Sequence, residues 1–176
     1  MIRSSAVTSS ETTAVDAPAL LTVEDLAVEF RTEDGILRAI SQVDLSVGDG
    51  EALGVVGESG CGKSVFSETI LRLIPSPPGR IVRGHIWYRR ENGETVDLAG
   101  ISAGSPLMRS IRGNEISMIF QDPMTSLNPI FTVGDQIAEA IRLHQNLNKK
   151  EARERAVQLL SEVHIPSPAQ RAKEDP

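Results

Sequence analysis

A chain of 176 residues is long enough to bury a core, as one domain or as part of a larger one. Its formal net charge of −6 excludes a nucleic-acid partner bound through charge, which needs a basic excess. A hydrophobic share of 40% fits a globular protein, and the single cysteine, Cys61, excludes an internal disulfide framework and suits a reducing compartment. No stretch holds the ~20 apolar residues that a membrane span requires.

Residues 1–19 are rich in small polar side chains, lack the apolar centre of a secretory signal and read as a disordered leader. Ordered structure is expected from Leu20. Leu26, Val28 and Phe30 alternate with Ala27, Glu29 and Arg31, the period of a half-buried strand. Residues 32–35 (TEDG) form a turn, and residues 36–47 read as a second strand. After another turn, the apolar run 52–56 (ALGVV) suits a strand buried on both faces. Beyond a glycine-rich loop, Phe66, Ile70, Leu73 and Ile74 recur at helical spacing until Pro75.

That loop, GESGCGKS at 57–64, places Gly57, Gly60, Gly62, Lys63 and Ser64 in the pattern G-x-x-x-x-G-K-[ST]. Each residue type has a task. Glycines let the backbone curl with its N–H groups inward, and the following helix aims its free N–H groups at the same point. Lys63 adds a full charge for outer phosphates, and the Ser64 hydroxyl can ligate Mg²⁺. A plain glycine turn is the bland alternative. The strand–loop–helix setting favours the phosphate cradle.

Residues 79–100 read as strands joined by the turn ENGE, with Trp87 and Tyr88 packed against the β layer. Arginines between Arg72 and Arg112 alternate with carboxylates and read as a solvated face. His85, His144 and His164 are scattered without metal-ligand spacing. Ile116 to Phe120 form another apolar strand ending at Gln121. A P-loop hydrolase needs an acidic residue at the end of a buried strand. Asp122, before Pro123, lies one position too late and reads as a loop carboxylate. Gln121 is the better candidate, because its amide can touch both a metal and an attacking water. Further on, Thr132 and Asp135 look like a capping box before the stripe Val133, Ile137, Ile141. Asn148, capped through Glu151, opens a helix with Ala156, Leu160 and Val163 on one side, stopped by Pro166.

The glycine loop followed by IFQDPMTSLNP (119–129) closely resembles the ATP-binding subunits of ABC transporters, in the branch serving dipeptide, oligopeptide and nickel importers. FTVGDQIAEAIRLHQ (131–145) looks particularly like glutathione-import ATPases. The resemblance implies an α/β P-loop fold over residues 20–176, with an antiparallel β portion first and a helical subdomain from about residue 130. It implies ATP and Mg²⁺ as cofactors. Gly57, Glu58, Ser59, Gly60, Cys61, Gly62, Lys63, Ser64 and Val65 would wrap the triphosphate. Ser64 and Gln121 would hold the metal, and Lys63 and Gln121 would act in hydrolysis. Phe30 matches the family's adenine-stacking aromatic, and its place in the Leu26–Val28–Phe30 stripe equally fits a core role. Partners implied are transmembrane permease subunits, a second nucleotide-binding domain and, indirectly, an extracytoplasmic solute-binding protein, with the subunit lying at the cytoplasmic face of the cell membrane. The family's LSGGQ-like loop, its later Asp-Glu pair and its switch histidine do not occur in these residues. The chain is therefore expected to be the N-terminal portion of a longer subunit, unable to hydrolyse ATP alone. A catalytically inactive remnant and a small P-loop kinase are the alternatives.

Overall fold

A computed structural model describes residues 19–121 and 126–176. Residues 1–18 of the expected leader, Asp122 and Pro123 lie outside the described residues. The chain divides into two compact units, one reaching to Ile116 and the other running Ser117–Pro176.

The first unit is built on an antiparallel sheet of β1 (Leu21–Thr32), β2 (Gly35–Ile40), β3 (Leu45–Val47), β4 (Gly79–Arg89) and β5 (Thr95–Asp97). The order is β2-β1-β4-β5, and β3 also pairs β1. The expected turn at residues 32–35 lets β2 fold straight back on β1, with Thr32 opposite Gly35. The expected second strand is two strands. Between them Val43 exchanges backbone hydrogen bonds with Leu26 at 3.1 Å, and the Asp44 carboxylate accepts from the Asp25 N–H at 2.7 Å. A polar side chain thus takes over a ladder bond, which breaks the strand without freeing it from the sheet.

β1 does not alternate as its period predicts. Leu26, Ala27, Val28 and Glu29 are all buried. The strand is central, flanked by β2 and β4, and its pairing shifts register at Glu24/Ala27, Ala27/Val28 and Val28/Glu29. Such shifts interrupt the in-and-out alternation. The Glu29 carboxylate is tolerated because Arg38 donates to it at 2.9 Å and Arg80 at 3.4 Å. The Arg38 bond holds its carboxyl below the usual range. Tyr88 packs inward as expected, whereas Trp87 lies on the outer face. Its ring stacks on His85, and its Nε1–H donates to Glu24 at 3.0 Å.

Helix α1 (Lys63–Ile70) opens where expected and ends earlier than its apolar spacing suggests. The Arg112 guanidinium donates to the carbonyls of Leu71 and Arg72 at 2.7 and 2.9 Å, replacing the bonds a further turn would have made. Arg90 is likewise held against a buried carboxylate, Glu115, at 2.7 Å. The arginine-rich stretch is therefore partly structural rather than a solvated face. A second short helix, α2 (Pro106–Ile111), was not expected, although its signal stands in the sequence: Ser105 caps the Met108 N–H at 3.1 Å and Pro106 follows.

The two apolar runs expected as inner strands form none. Residues 52–56 are exposed, with Val56 at 93%, and Ile119 is 94% exposed. A strand buried on both faces needs neighbouring strands on either side and further elements to cover both faces of its sheet. Among the described residues every strand belongs to the antiparallel sheet, so neither run finds such a neighbour.

The second unit consists of α3 (Val133–His144), α4 (Lys149–Glu162) and α5 (Pro168–Arg171). Ala138, Ile141, Ala152 and Ala156 form its core, joined by Ile137, Leu147 and Leu159. Asn148 and Glu151 complete their capping box. Val163 is 66% exposed, so the packed stripe of α4 runs through Ala152, Ala156 and Leu159 instead of ending at Val163. At α3 only half of the expected box forms. Thr132 accepts from the Asp135 N–H at 3.2 Å, while the Asp135 carboxylate turns to Arg153 at 2.8 Å, which keeps its pKa low. The remaining N–H groups of Val133 and Gly134 donate to the carbonyls of Glu174 and Ala172.

Candidate functional site

The glycine loop lies against the end of β2. Gly62, the residue before α1, has φ +104°, and a Cβ there would meet the Ala39 carbonyl oxygen at 2.8 Å. Only glycine combines that dihedral with that approach. Ala39 is thus the wall on which the loop rests. Nothing in the sequence singled it out, because its role follows from where β2 ends. Gly60 also adopts a positive φ, +78°.

No side chain caps α1. Its first backbone bond runs from the Phe66 N–H to the Gly62 carbonyl at 2.8 Å. The N–H groups of Lys63, Ser64 and Val65 therefore have no acceptor within the helix and face the loop end. Lys63 folds back over the same place. Its Nζ donates to the carbonyls of Gly57 and Glu58, both at 2.7 Å, and approaches the Cys61 Sγ at 3.6 Å. The Cys61 N–H donates to the Glu58 carbonyl at 3.3 Å, tightening the turn. A Cβ on Gly57 would meet the Cys61 Sγ at 2.7 Å, so the thiol occupies the inside of the curl. Glu58, Ser59 and Ser64 are exposed around it, and Val65 is half-buried.

Helix N–H donors, a helix dipole and an ammonium converge here. That combination suits an anion with several oxygens, as a phosphate chain has. A divalent cation finds a different environment. Among the described residues no three His, Cys, Asp or Glu side chains gather. The Ser64 hydroxyl is neutral, a donor that holds Mg²⁺ only together with phosphate oxygens. Gln121 is exposed and falls in the second unit.

Phe30 is half-buried. Its ring covers Gly79, where a Cβ would meet Cε1 at 2.8 Å, and the residue also lines a cavity of about 350 Å³ with Ile36, Pro77 and Pro78. The ring therefore packs on the sheet and also borders open space.

A family model described as "ABC transporter" matches residues 40–175. A putative peptide import ATP-binding protein of Brucella abortus is 48% identical over 157 residues, 89% of this chain and 46% of its own length. The oligopeptide transport ATP-binding protein OppD of Bacillus subtilis is also 48% identical, over 89% of this chain and 42% of its own. The glutathione import ATP-binding protein GsiA of Pectobacterium atrosepticum is 45% identical over 82% of this chain and 23% of its own. The chain thus spans less than half the length of these relatives. In fold it is similar to the dimeric ATP-binding cassette MJ0796 in a post-hydrolysis state with ADP and Pi, at a TM-score of 0.69 and 19% identity, covering 89% of this chain and 61% of that one.

Proposed function

Because this chain belongs to the ABC transporter family, we propose that it is part of the ATP-binding subunit of an importer for a peptide-like solute. In this reading the subunit binds MgATP at Gly57–Val65 and couples its hydrolysis to transport through membrane permease subunits. The supporting observation is the placement of the Lys63 ammonium, 2.7 Å from two loop carbonyls and beside an uncapped helix start. Peptide import is the function named for the Brucella and Bacillus relatives.

The residues divide the work by chemistry. The N–H groups of Lys63, Ser64 and Val65 bind phosphate oxygens, and Lys63 turns from the loop carbonyls to neutralise the charge that builds on the outer phosphate. The Ser64 hydroxyl and the Gln121 amide hold the metal side of the site, and Gln121 orients the attacking water. Mg²⁺, when bound, withdraws charge from the phosphate oxygens. Phe30 stacks on the base. The helical region from about residue 130 meets the permease at the cytoplasmic face of the membrane, and a second nucleotide-binding domain completes the pair.

The test uses the full-length protein reconstituted with its permease and solute-binding subunits in vesicles. ATP-driven uptake of labelled tripeptide, absent in Lys63→Ala, is the expected result. ATP consumption with transfer of phosphate to a small molecule, and no uptake, would replace this reading with a kinase.

A further inference from the structure

Helix α1 ends on a strained residue. After Leu71 the chain turns through Arg72 at φ +55°. The Arg72 N–H donates to the Thr69 carbonyl at 3.0 Å and the Leu73 N–H to the Glu68 carbonyl at 2.8 Å. That pair of bonds closes a helix through one left-handed residue, and glycine is its usual occupant because a Cβ there crowds the backbone. Strain of this kind collects where a side chain has a task.

The Arg72 side chain lines a cavity of about 360 Å³ together with Ser76, Arg80, Arg83, His85 and Asp97. All belong to the first unit, and none to the glycine loop. Three arginines thus stand against one carboxylate, and that carboxylate is already engaged. Asp97 lies 2.8 Å from the His85 Nδ1 and accepts from the Ile86 and Ala99 N–H groups, both at 3.0 Å. Arg83 meets Asp25 at 2.6 Å. Arg80 reaches Glu29 only at 3.4 Å, behind Arg38 at 2.9 Å. Among the described residues Arg72 pairs with no carboxylate. Its Nε donates to the Ile101 carbonyl at 3.2 Å, which orients the guanidinium and leaves its two terminal nitrogens without a protein acceptor. Further charge nearby is also positive. Burial first, and then Arg72 and Arg109, hold the Arg112 pKa below the usual guanidinium range.

A phosphate monoester carries a charge of about −1.5 to −2 and three outer oxygens. It can accept from the Arg72 fork, from Arg80 and from the Ser76 hydroxyl together, whereas a carboxylate offers two oxygens and one charge. The volume lies near the lower end of small-molecule sites, about 300–1,000 Å³, so the attached organic group is small. Ile74 and Val82 give it an apolar wall. We propose that this cavity binds the phosphate group of a small phosphorylated molecule, with Arg72 as its principal donor, at a site independent of the glycine loop.

The test is equilibrium dialysis of the full-length protein against labelled glycerol 3-phosphate at fixed ionic strength. Arg72→Gly is the deciding variant, because it removes the guanidinium and puts glycine where the helix end favours it. Its melting temperature stays level or rises, while affinity falls about tenfold to a hundredfold, the effect of losing charge-assisted bonds. Lys63→Ala keeps the binding, which separates the cavity from the loop. No binding by the unaltered protein, full binding by Arg72→Gly, or loss of binding in Lys63→Ala overturns the proposal. So does a lower melting temperature in Arg72→Gly, since the arginine would then serve the fold through Ile101. Equal binding of acetate overturns the phosphate assignment. Binding to phosphatidic acid vesicles without binding of the free probe overturns the small molecule in favour of a lipid headgroup.

Discussion

The antiparallel sheet and the apolar run before the glycine loop have similar residues and opposite fates. β1 carries Leu26, Ala27 and Val28 into the core, whereas Leu53, Val55 and Val56, equally apolar, remain exposed. Composition does not separate them. An antiparallel strand can take its partner from across a short turn, as β2 does after Thr32. A parallel strand must wait for a crossover of a dozen or more residues to deliver its neighbour. Burial is therefore a property of the partner, and the glycine loop is held by local bonds: Lys63 to Gly57 and Glu58, Gly62 against Ala39.

The sharpest way to test that contrast is to remove the local charge. Lys63→Ala should weaken MgATP binding on the order of tenfold to hundredfold, the worth of charge-assisted bonds, while circular dichroism stays that of the folded chain. Isothermal titration measures it, and unchanged affinity would dismiss the cradle. Next in size is Gly62→Ala, which forces a side chain into a positive φ and against the Ala39 carbonyl. A cost of about 1–3 kcal/mol is expected, read as a lower melting temperature together with weaker nucleotide binding. If only melting changes, the loop does not carry the site.

Cys61 tests the interior of the curl. Its Sγ lies 3.6 Å from the Lys63 Nζ. Saturating ATP should slow maleimide labelling, and labelled protein should bind ATP poorly. Equal labelling rates would place the thiol outside the bound phosphates.

The sheet side of the comparison is probed by pH. Glu29, buried between Arg38 and Arg80, has a lowered pKa, so its contribution is present above the unfolded carboxylate pKa and is lost as pH falls through the folded value. The melting difference between the unaltered protein and Glu29→Gln should therefore shrink on acidification. His85 has the opposite sign. Its bond to Asp97 raises its pKa, so the stabilisation is complete below the unfolded histidine pKa and disappears as pH rises through the folded one. Trp87, stacked on His85 and the sole tryptophan, reports this as a fluorescence change that His85→Gln removes.

The shape of the glycine loop and the start of α1 were legible in the sequence because their requirements are local. Gly57 to Ser64 need only a tight turn and a helix start, and both are written in consecutive residues. Asn148 with Glu151 was legible for the same reason, a cap and its partner one turn apart. The family resemblance added what local chemistry cannot specify, the kind of subunit to which such a loop belongs.

Other features depended on distant groups. β1 became a two-sided core strand because β2 and β4 flank it with shifted register. The Asp135 carboxylate left its expected cap because Arg153, on α4, came within 2.8 Å. Arg112 ends α1 from 40 residues away, and no window along the chain contains both groups. The sequence by itself determined the glycine loop and the helix start that follows it, since both are written in consecutive residues. Only the tertiary structure decided which apolar runs are buried and which charges are paired, because burial and pairing belong to two segments at once.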